Sequence, residues 1–103
     1  MFPTLGRRPS LDGMPSYLVE TYLARSQAGE RTARDERARS AANGPAVRFD
    51  QSIYIPEDEI CFFVFDAPSG REATRAAHRA DLRPIRVVAA LPSRTPANRG
   101  EKP

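Results

Sequence analysis

The sequence predicts a single α+β domain of ferredoxin-like β-α-β-β-α-β order, and three observations carry this prediction. The chain has 103 residues, which is room for one domain only. Strand and helix signals alternate in this order along residues 14–91. The two predicted helices flank a strand pair joined by a short turn. In the split β-α-β arrangement that results, both helices cover one face of a four-stranded antiparallel sheet, with strands one and three in the centre.

Residues 1–13 and 92–103 are predicted to be disordered tails on either side of this domain. Both segments contain several prolines and glycines and little apolar side-chain area. Burial of so little area cannot offset the entropy lost on ordering. Met14 opens the domain as a natural start would, so we expect residues 1–13 to be an extension.

The charge distribution argues against nucleic-acid binding. The net charge is +3 and the pI is about 9.6, but residues 14–91 hold 11 basic and 11 acidic side chains, so the excess lies in the tails. Nucleic-acid binders usually carry a basic patch on the folded body. The single cysteine and the lack of a long apolar run predict a protein of the cytoplasm without a membrane span.

The first half of the domain carries the signals of one strand and one helix. Residues 16–23 are rich in β-branched and aromatic side chains, which favours a strand. Ser26 is predicted to cap a helix over 29–42 that stops at residues 43–45, Asn-Gly-Pro. Among many arginines, this helix offers only small side chains for burial: Ala33, Ala38, Ala41 and Ala42.

Residues 46–55 alternate between apolar and polar side chains, which predicts a half-buried strand. One face would hold Val47, Phe49, Ile53 and Ile55, with Gln51 as the sole exception. The opposite, polar face would include Asp50 and Tyr54.

The second half of the domain begins with residues 60–65, which are apolar on both faces of a third strand. Ser69 and Glu72 form the pattern of a capping box at the start of a second helix. That helix has an apolar stripe at i, i+3, i+4 and i+7, namely Ala73, Ala76, Ala77 and Ala80. Residues 84–91 close the domain as a fourth strand.

The third strand predicts a homodimer. With both helices on one face, the open face of the sheet must expose either Cys61, Phe63 and Phe65 or Ile60, Phe62 and Val64. Leaving three such side chains in water forgoes about 1.5–3 kcal/mol each. A twofold copy of the chain is the simplest surface that could cover them.

Several segments together resemble a known family. They are MPSYLVE at 14–20, PEDEICF at 56–62, APS at 67–69 and AHRA at 77–80, and they run through essentially all of residues 14–91. They are similar to a bacterial family of small ferredoxin-like proteins of unknown function, called nickel-binding after one member. The resemblance implies a dimeric ferredoxin-like fold and makes nickel a candidate ligand.

The candidate site residues are few. Glu20 is a charged residue in a strand that should be central, where it either meets solvent or points into a pocket that Tyr22, Asp50 and Tyr54 could also line. A metal site would draw on His78, Glu20 and Cys61, although these are not spaced as a recognised motif. His78 is otherwise a solvated residue near a helix end, and Cys61 a small core residue.

Three functions stay open at this level. The leading one is a homodimer that binds a small ligand, with a transition metal such as nickel as one option. The second is a cofactor-free enzyme of the dimeric α/β-barrel type that uses Glu20 or His78 for proton transfer. The third is a protein–protein adaptor that uses the arginine-rich first helix. No phosphate loop, nucleophile elbow or paired-cysteine motif favours a known catalytic class.

Overall fold

The computed structural model describes residues 14–42 and 46–91. The tails predicted at 1–13 and 92–103 and the helix stop predicted at 43–45 lie outside these residues. The elements are β1 (Ser16–Tyr22), a 3-10 helix (Arg25–Glu30), α1 (Arg31–Ala41), β2 (Arg48–Ile55), β3 (Ile60–Asp66), α2 (Gly70–Arg79) and β4 (Arg86–Ala90). In the part of the chain that the structure describes, no helix is long and apolar enough to cross a membrane.

The four strands form one antiparallel sheet in the order β2-β3-β1-β4. This is the ferredoxin-like arrangement that the sequence predicts, with β1 and β3 in the centre. Along β1, residues Ser16 to Tyr22 pair with β3 from Asp66 back to Ile60. The predicted fold class is therefore confirmed.

The hydrophobic core lies between the sheet and both helices. The helix-facing side of the central strands contributes Val19, Cys61, Phe63 and Phe65, each fully buried. Against them pack fully buried alanines of both helices, namely Ala38, Ala73, Ala76 and Ala77. Because alanine is small, the helices lie close to the sheet, and the large side chains of the core come from the strands.

The predicted apolar face of β2 is correct before Asp50 and wrong after it, because a β-bulge interrupts the strand at this residue. Phe49 pairs with Phe65, but Gln51 rather than Asp50 pairs with Val64, so Asp50 is an extra residue in the ladder. One extra residue reverses the side on which all later side chains point. Phe49 is buried in the core, whereas Ile53 lies on the opposite face of the sheet and is 42% exposed.

The start of the first helix also differs from the prediction. Ser26 lies inside the 3-10 helix, and neither the 3-10 helix nor α1 has a side-chain cap in the structure. Of the alanines expected to be buried, Ala38 and Ala42 are buried, Ala41 is half-buried and Ala33 is exposed. α2 begins as predicted, since Ser69 Oγ accepts a hydrogen bond from the Glu72 amide at 3.2 Å.

Candidate functional site

The face of the sheet that the helices leave uncovered carries eight apolar and seven polar side chains. We call it the open face. Its residues follow from the strand register, in which paired residues point to the same side. The apolar members are Leu18 on β1, Ile53 and Ile55 on β2, Ile60, Phe62 and Val64 on β3, and Val88 and Ala90 on β4. The polar members are Ser16, Glu20 and Tyr22 on β1, Arg48 and Gln51 on β2, Asp66 on β3 and Arg86 on β4. Of the two alternatives that β3 left open, the structure therefore places Ile60, Phe62 and Val64 on this side.

An ion pair lies on the open face beside its apolar side chains. Glu20 pairs in register with Phe62 on one side and with Arg86 on the other, so its side chain is on the open face. Arg86 Nε donates to Glu20 Oε1 at 2.8 Å, which is the length of a strong charge-assisted hydrogen bond. The Glu20 side chain is 20% exposed and that of Arg86 is 67% exposed. A guanidinium and a carboxylate among apolar side chains can orient a ligand that has one polar end.

A second polar group lies at the end of β1. The Glu59 carboxylate accepts hydrogen bonds from the Arg25 amide at 2.9 Å and from the Tyr22 hydroxyl at 3.3 Å. These hydrogen bonds hold the pKa of Glu59 below its usual value, and the bond from the Arg25 amide contributes most. The charge of Glu59 in turn raises the pKa of Tyr22. Tyr22 is thus held in one orientation at the rim of the open face.

The structure brings together only part of the predicted ligand set. Glu20 and Tyr22 share the open face, two residues apart on β1. Tyr54 lies on the other side of the sheet, because the bulge precedes it, and its hydroxyl donates to the Leu23 carbonyl at 2.9 Å. Asp50 is the exposed extra residue of the bulge. Within one chain, Tyr54 and Glu20 do not line the same cavity.

The three predicted metal ligands lie in different parts of the fold. Cys61 is fully buried on the helix side of the sheet, and burial raises the pKa of its thiol. Glu20 lies on the opposite face, and His78 is exposed near the end of α2. Among residues 14–42 and 46–91, no group of three or more His, Cys, Asp or Glu side chains could hold a metal ion.

Arg86 is a site residue that the sequence reasoning missed. It stands in the segment PIRVVAAL, and the signal for its role is a basic residue inside an otherwise apolar strand. Its partner Glu20 is 66 positions earlier, so only the pairing of the edge strand β4 with β1 brings the two charges together.

Comparison with known proteins supports the fold. No family model matches the sequence, and no curated protein matches it. Among solved structures, the chain is similar to the protein SCO4226 of Streptomyces coelicolor A3(2), known from a crystal structure analysis. The match covers 76% of this chain and 98% of that chain, with a TM-score of 0.54 and 16% identity. A likeness at this identity shows a common fold alone.

Proposed function

We propose that the protein acts as a homodimer that binds a small, mainly apolar molecule with one polar end. The two open faces pack against each other, and the ligand lies between the sheets beside Glu20 and Arg86. The observation that carries this proposal is the Glu20–Arg86 pair at 2.8 Å beside the apolar side chains of the open face.

The open face carries enough apolar side chains to form the core of an interface, with polar side chains among them. Its eight apolar side chains run across all four strands, and the side chain of Ile53 is 42% exposed. Each square ångström of apolar surface removed from water stabilises by about 25 cal/mol. Covering this face with a second copy would therefore stabilise the dimer substantially relative to two separate chains.

The size of the face suits a second copy. Strands about 4.8 Å apart, with a rise of roughly 3.3 Å per residue, give a projected area of about 400 Å². Protruding side chains and the rim raise the accessible area toward the roughly 600 Å² per partner at the lower end of specific interfaces.

Charge also favours a second copy as the occupant. Residues 14–91 carry 11 basic and 11 acidic side chains, so two copies approach without net repulsion between their folded bodies. The open face contains both signs, in Glu20 and Asp66 and in Arg48 and Arg86. A twofold axis can therefore place each carboxylate near the guanidinium of the other copy.

The chemistry of the space that two open faces would enclose supports ligand binding. Small-molecule sites are mainly apolar, with a few polar groups that fix the orientation of the ligand. Arg86 offers N–H donors to a carboxylate, sulfonate or carbonyl oxygen, while Glu20 holds the guanidinium in place. The apolar side chains around this pair would contact the rest of the ligand.

Two substitutions test the dimer, one at an isoleucine of the open face and one at an isoleucine outside it. Ile53 is on the open face and 42% exposed, whereas Ile85 precedes β4, is 58% exposed and lies outside the open-face set. Ile53→Asp should weaken the dimer at least about 100-fold, because it buries an unpaired carboxylate at the interface. Ile85→Asp should leave it intact. Native mass spectrometry over a dilution series measures both.

Two results would contradict the dimer through this face. One is a monomer for the unmodified protein at micromolar concentration. The other is equal weakening by both substitutions. The spectra should be repeated after nickel is added and the excess removed, because nickel retained at fixed stoichiometry would favour a metal over an organic ligand.

Ligand binding is tested separately with the dye 8-anilino-1-naphthalenesulfonate, which has an apolar body and one anionic end. The dimer should bind it saturably, and Arg86→Gln should weaken binding about fivefold through loss of one partly solvated charge contact. Arg75→Gln on the exposed side of α2 is the control, since Arg75 pairs with Glu72 on its own helix. Equal affinities of the two variants would refute the role of Arg86.

A further inference from the structure

A cleft separate from the Glu20–Arg86 pair opens at one end of the helix layer. It lies between the 3-10 helix, the first half of α1 and the connection from α2 to β4. Its volume is about 490 Å³. Sites for small molecules fall in the range of about 300–1,000 Å³.

Arginine side chains dominate the wall of this cleft. Arg34, Arg37 and Arg83 line it together with two carboxylates, Glu30 and Asp81, so these charged groups sum to +1. Such a wall favours an anion, because the positive groups outnumber the negative ones.

Two of the arginines are held in position by the backbone. Arg34 Nη1 donates to the Tyr22 carbonyl at 3.0 Å, and Arg37 Nε donates to the Ala80 carbonyl at 2.8 Å. The Arg34 side chain is only 16% exposed. A guanidinium has five N–H donors, so these bonds orient the group and use a minority of its donors.

The carboxylates of the cleft are poor partners for these arginines. Glu30 lies 3.5 Å from Arg34 and Asp81 lies 3.9 Å from Arg83, both measured between the nearest charged nitrogen and oxygen. Charge-assisted hydrogen bonds of this kind are about 2.7–2.9 Å long. Both carboxylates are largely exposed, so an incoming anion can displace them without breaking a strong bond.

The backbone of the α2–β4 connection is unusual at this cleft. Asp81 has a φ of 57° and Arg83 a φ of 56°. This left-handed conformation is strained for arginine and favours glycine. The Arg83 side chain is 88% exposed, and its contact with the Asp81 carboxylate is long, at 3.9 Å. Strained positions of this kind often occur at ligand sites.

We propose that this cleft binds the oxyanion group of a small molecule, either a carboxylate or a phosphate, between Arg34, Arg37 and Arg83. Arg34 and Arg37 form the fixed wall, and Arg83 closes over the anion from the α2–β4 connection. Tyr22 and Leu82 also line the cleft. The site belongs to a single chain and does not depend on dimer formation.

The test is an amide NMR titration of the full chain with sodium phosphate and, separately, with sodium malonate, at an ionic strength held constant with sodium chloride. Each oxyanion that binds should shift the amides of Gln27, Leu82 and Arg83 saturably. Saturation with phosphate alone, malonate alone or both supports the proposal and identifies the preferred group. If neither anion causes shifts larger than those caused by chloride, the proposal is overturned.

Two substitutions at one position separate binding from folding. Arg83→Gly should lower the affinity for the anion about fivefold, which is the loss expected for one partly solvated charge contact. Its melting temperature should be no lower than that of the unmodified protein, because glycine tolerates a φ of 56°. Arg83→Gln keeps the backbone strain and removes only the charge, so it should weaken binding to the same extent. The control is Arg75→Gln, and equal weakening by this control would overturn the proposal.

Discussion

Glu59 connects the β2–β3 turn to the end of β1 through both its backbone and its side chain. Its carbonyl accepts from the Leu23 amide at 2.8 Å, and its carboxylate accepts from the Arg25 amide at 2.9 Å. The residue has a φ of 56°, which is uncommon for a side chain of this type. The hydrogen bonds that it makes in this conformation hold the turn against the start of the 3-10 helix.

At the residue scale, this geometry makes stability dependent on pH. The pKa of Glu59 is lowered in the folded chain, so its contribution is present above the unfolded value of about 4.3 and is lost as the pH falls through the folded value. Glu59→Gln should therefore make the free energy of unfolding less dependent on pH between about 5 and 3. Urea denaturation over this range measures the effect.

The neighbouring residue Glu57 provides the control. It is exposed in the same turn. Glu57→Gln should leave the acid dependence of stability unchanged. If both variants lose the same pH dependence, the hydrogen bonds to Glu59 are not its cause.

At the scale of single elements, the two helices differ in how they begin. α2 starts at Ser69, whose Oγ accepts from the Glu72 amide, and it buries Ala73, Ala76 and Ala77 fully. α1 continues from a 3-10 helix without a side-chain cap in the structure. The three arginines at its start and middle instead donate to backbone carbonyls or to Ser52: Arg31, Arg34 and Arg37. These side chains fasten α1 to the strands and to the end of α2.

This difference predicts unequal effects of two serine substitutions. Ser69→Ala should lower the free energy of unfolding by about 1 kcal/mol, because it removes an N-cap hydrogen bond. Ser26→Ala should change it by less than about 0.5 kcal/mol, since Ser26 is exposed inside the 3-10 helix. Chemical denaturation followed by circular dichroism compares the two variants. Equal losses would mean that Ser26 does act as a cap.

The bulge in β2 shapes the open face more than any other local feature. Before Asp50 the strand contributes Phe49 to the core, and after it Ile53 and Ile55 point to the open face. Without the extra residue, both isoleucines would pack under the helices and the polar side of β2 would lie on the open face. The bulge therefore extends the apolar surface to the edge strand.

At the scale of the whole molecule, the sheet carries apolar side chains on both sides, and among residues 14–42 and 46–91 only one side is covered. The helix side holds a closed core built around Phe63 and Phe65. The open side carries Phe62 and the aliphatic side chains around it. This asymmetry is the physical reason for the proposed dimer.

A dimer that forms through this face links stability to concentration. Because only the folded chain dimerises, the melting temperature of the unmodified protein should rise with protein concentration. Calorimetry from about 5 to 500 µM should show an increase of several degrees, since coupling to association is worth about 2.7 kcal/mol at 100 times the dissociation constant. The variant Ile53→Asp should show no such dependence. A concentration-independent melting temperature for the unmodified protein would contradict the proposed dimer.

The sequence alone determined the element order, the core alanines of α2, its Ser69 cap and the two apolar faces of β3. These features depend on local periodicity and on short-range capping chemistry, both of which are visible in consecutive residues. Glu20 was also recognisable, because a charge in a predicted central strand is unusual.

Only the tertiary structure decided which of these residues meet. The bulge at Asp50 depends on the pairing of β2 with β3, and it moved Tyr54 away from Glu20. The pairing of β4 with β1 brought Arg86 to Glu20, and the packing of α1 beside the α2–β4 connection placed Arg34 and Arg37 in a cleft with Arg83. Contacts of this kind join residues far apart in the chain, so no local pattern encodes them. For the bulge, the sequence offered one indication, the polar Gln51 at a position where the alternation predicts an apolar residue.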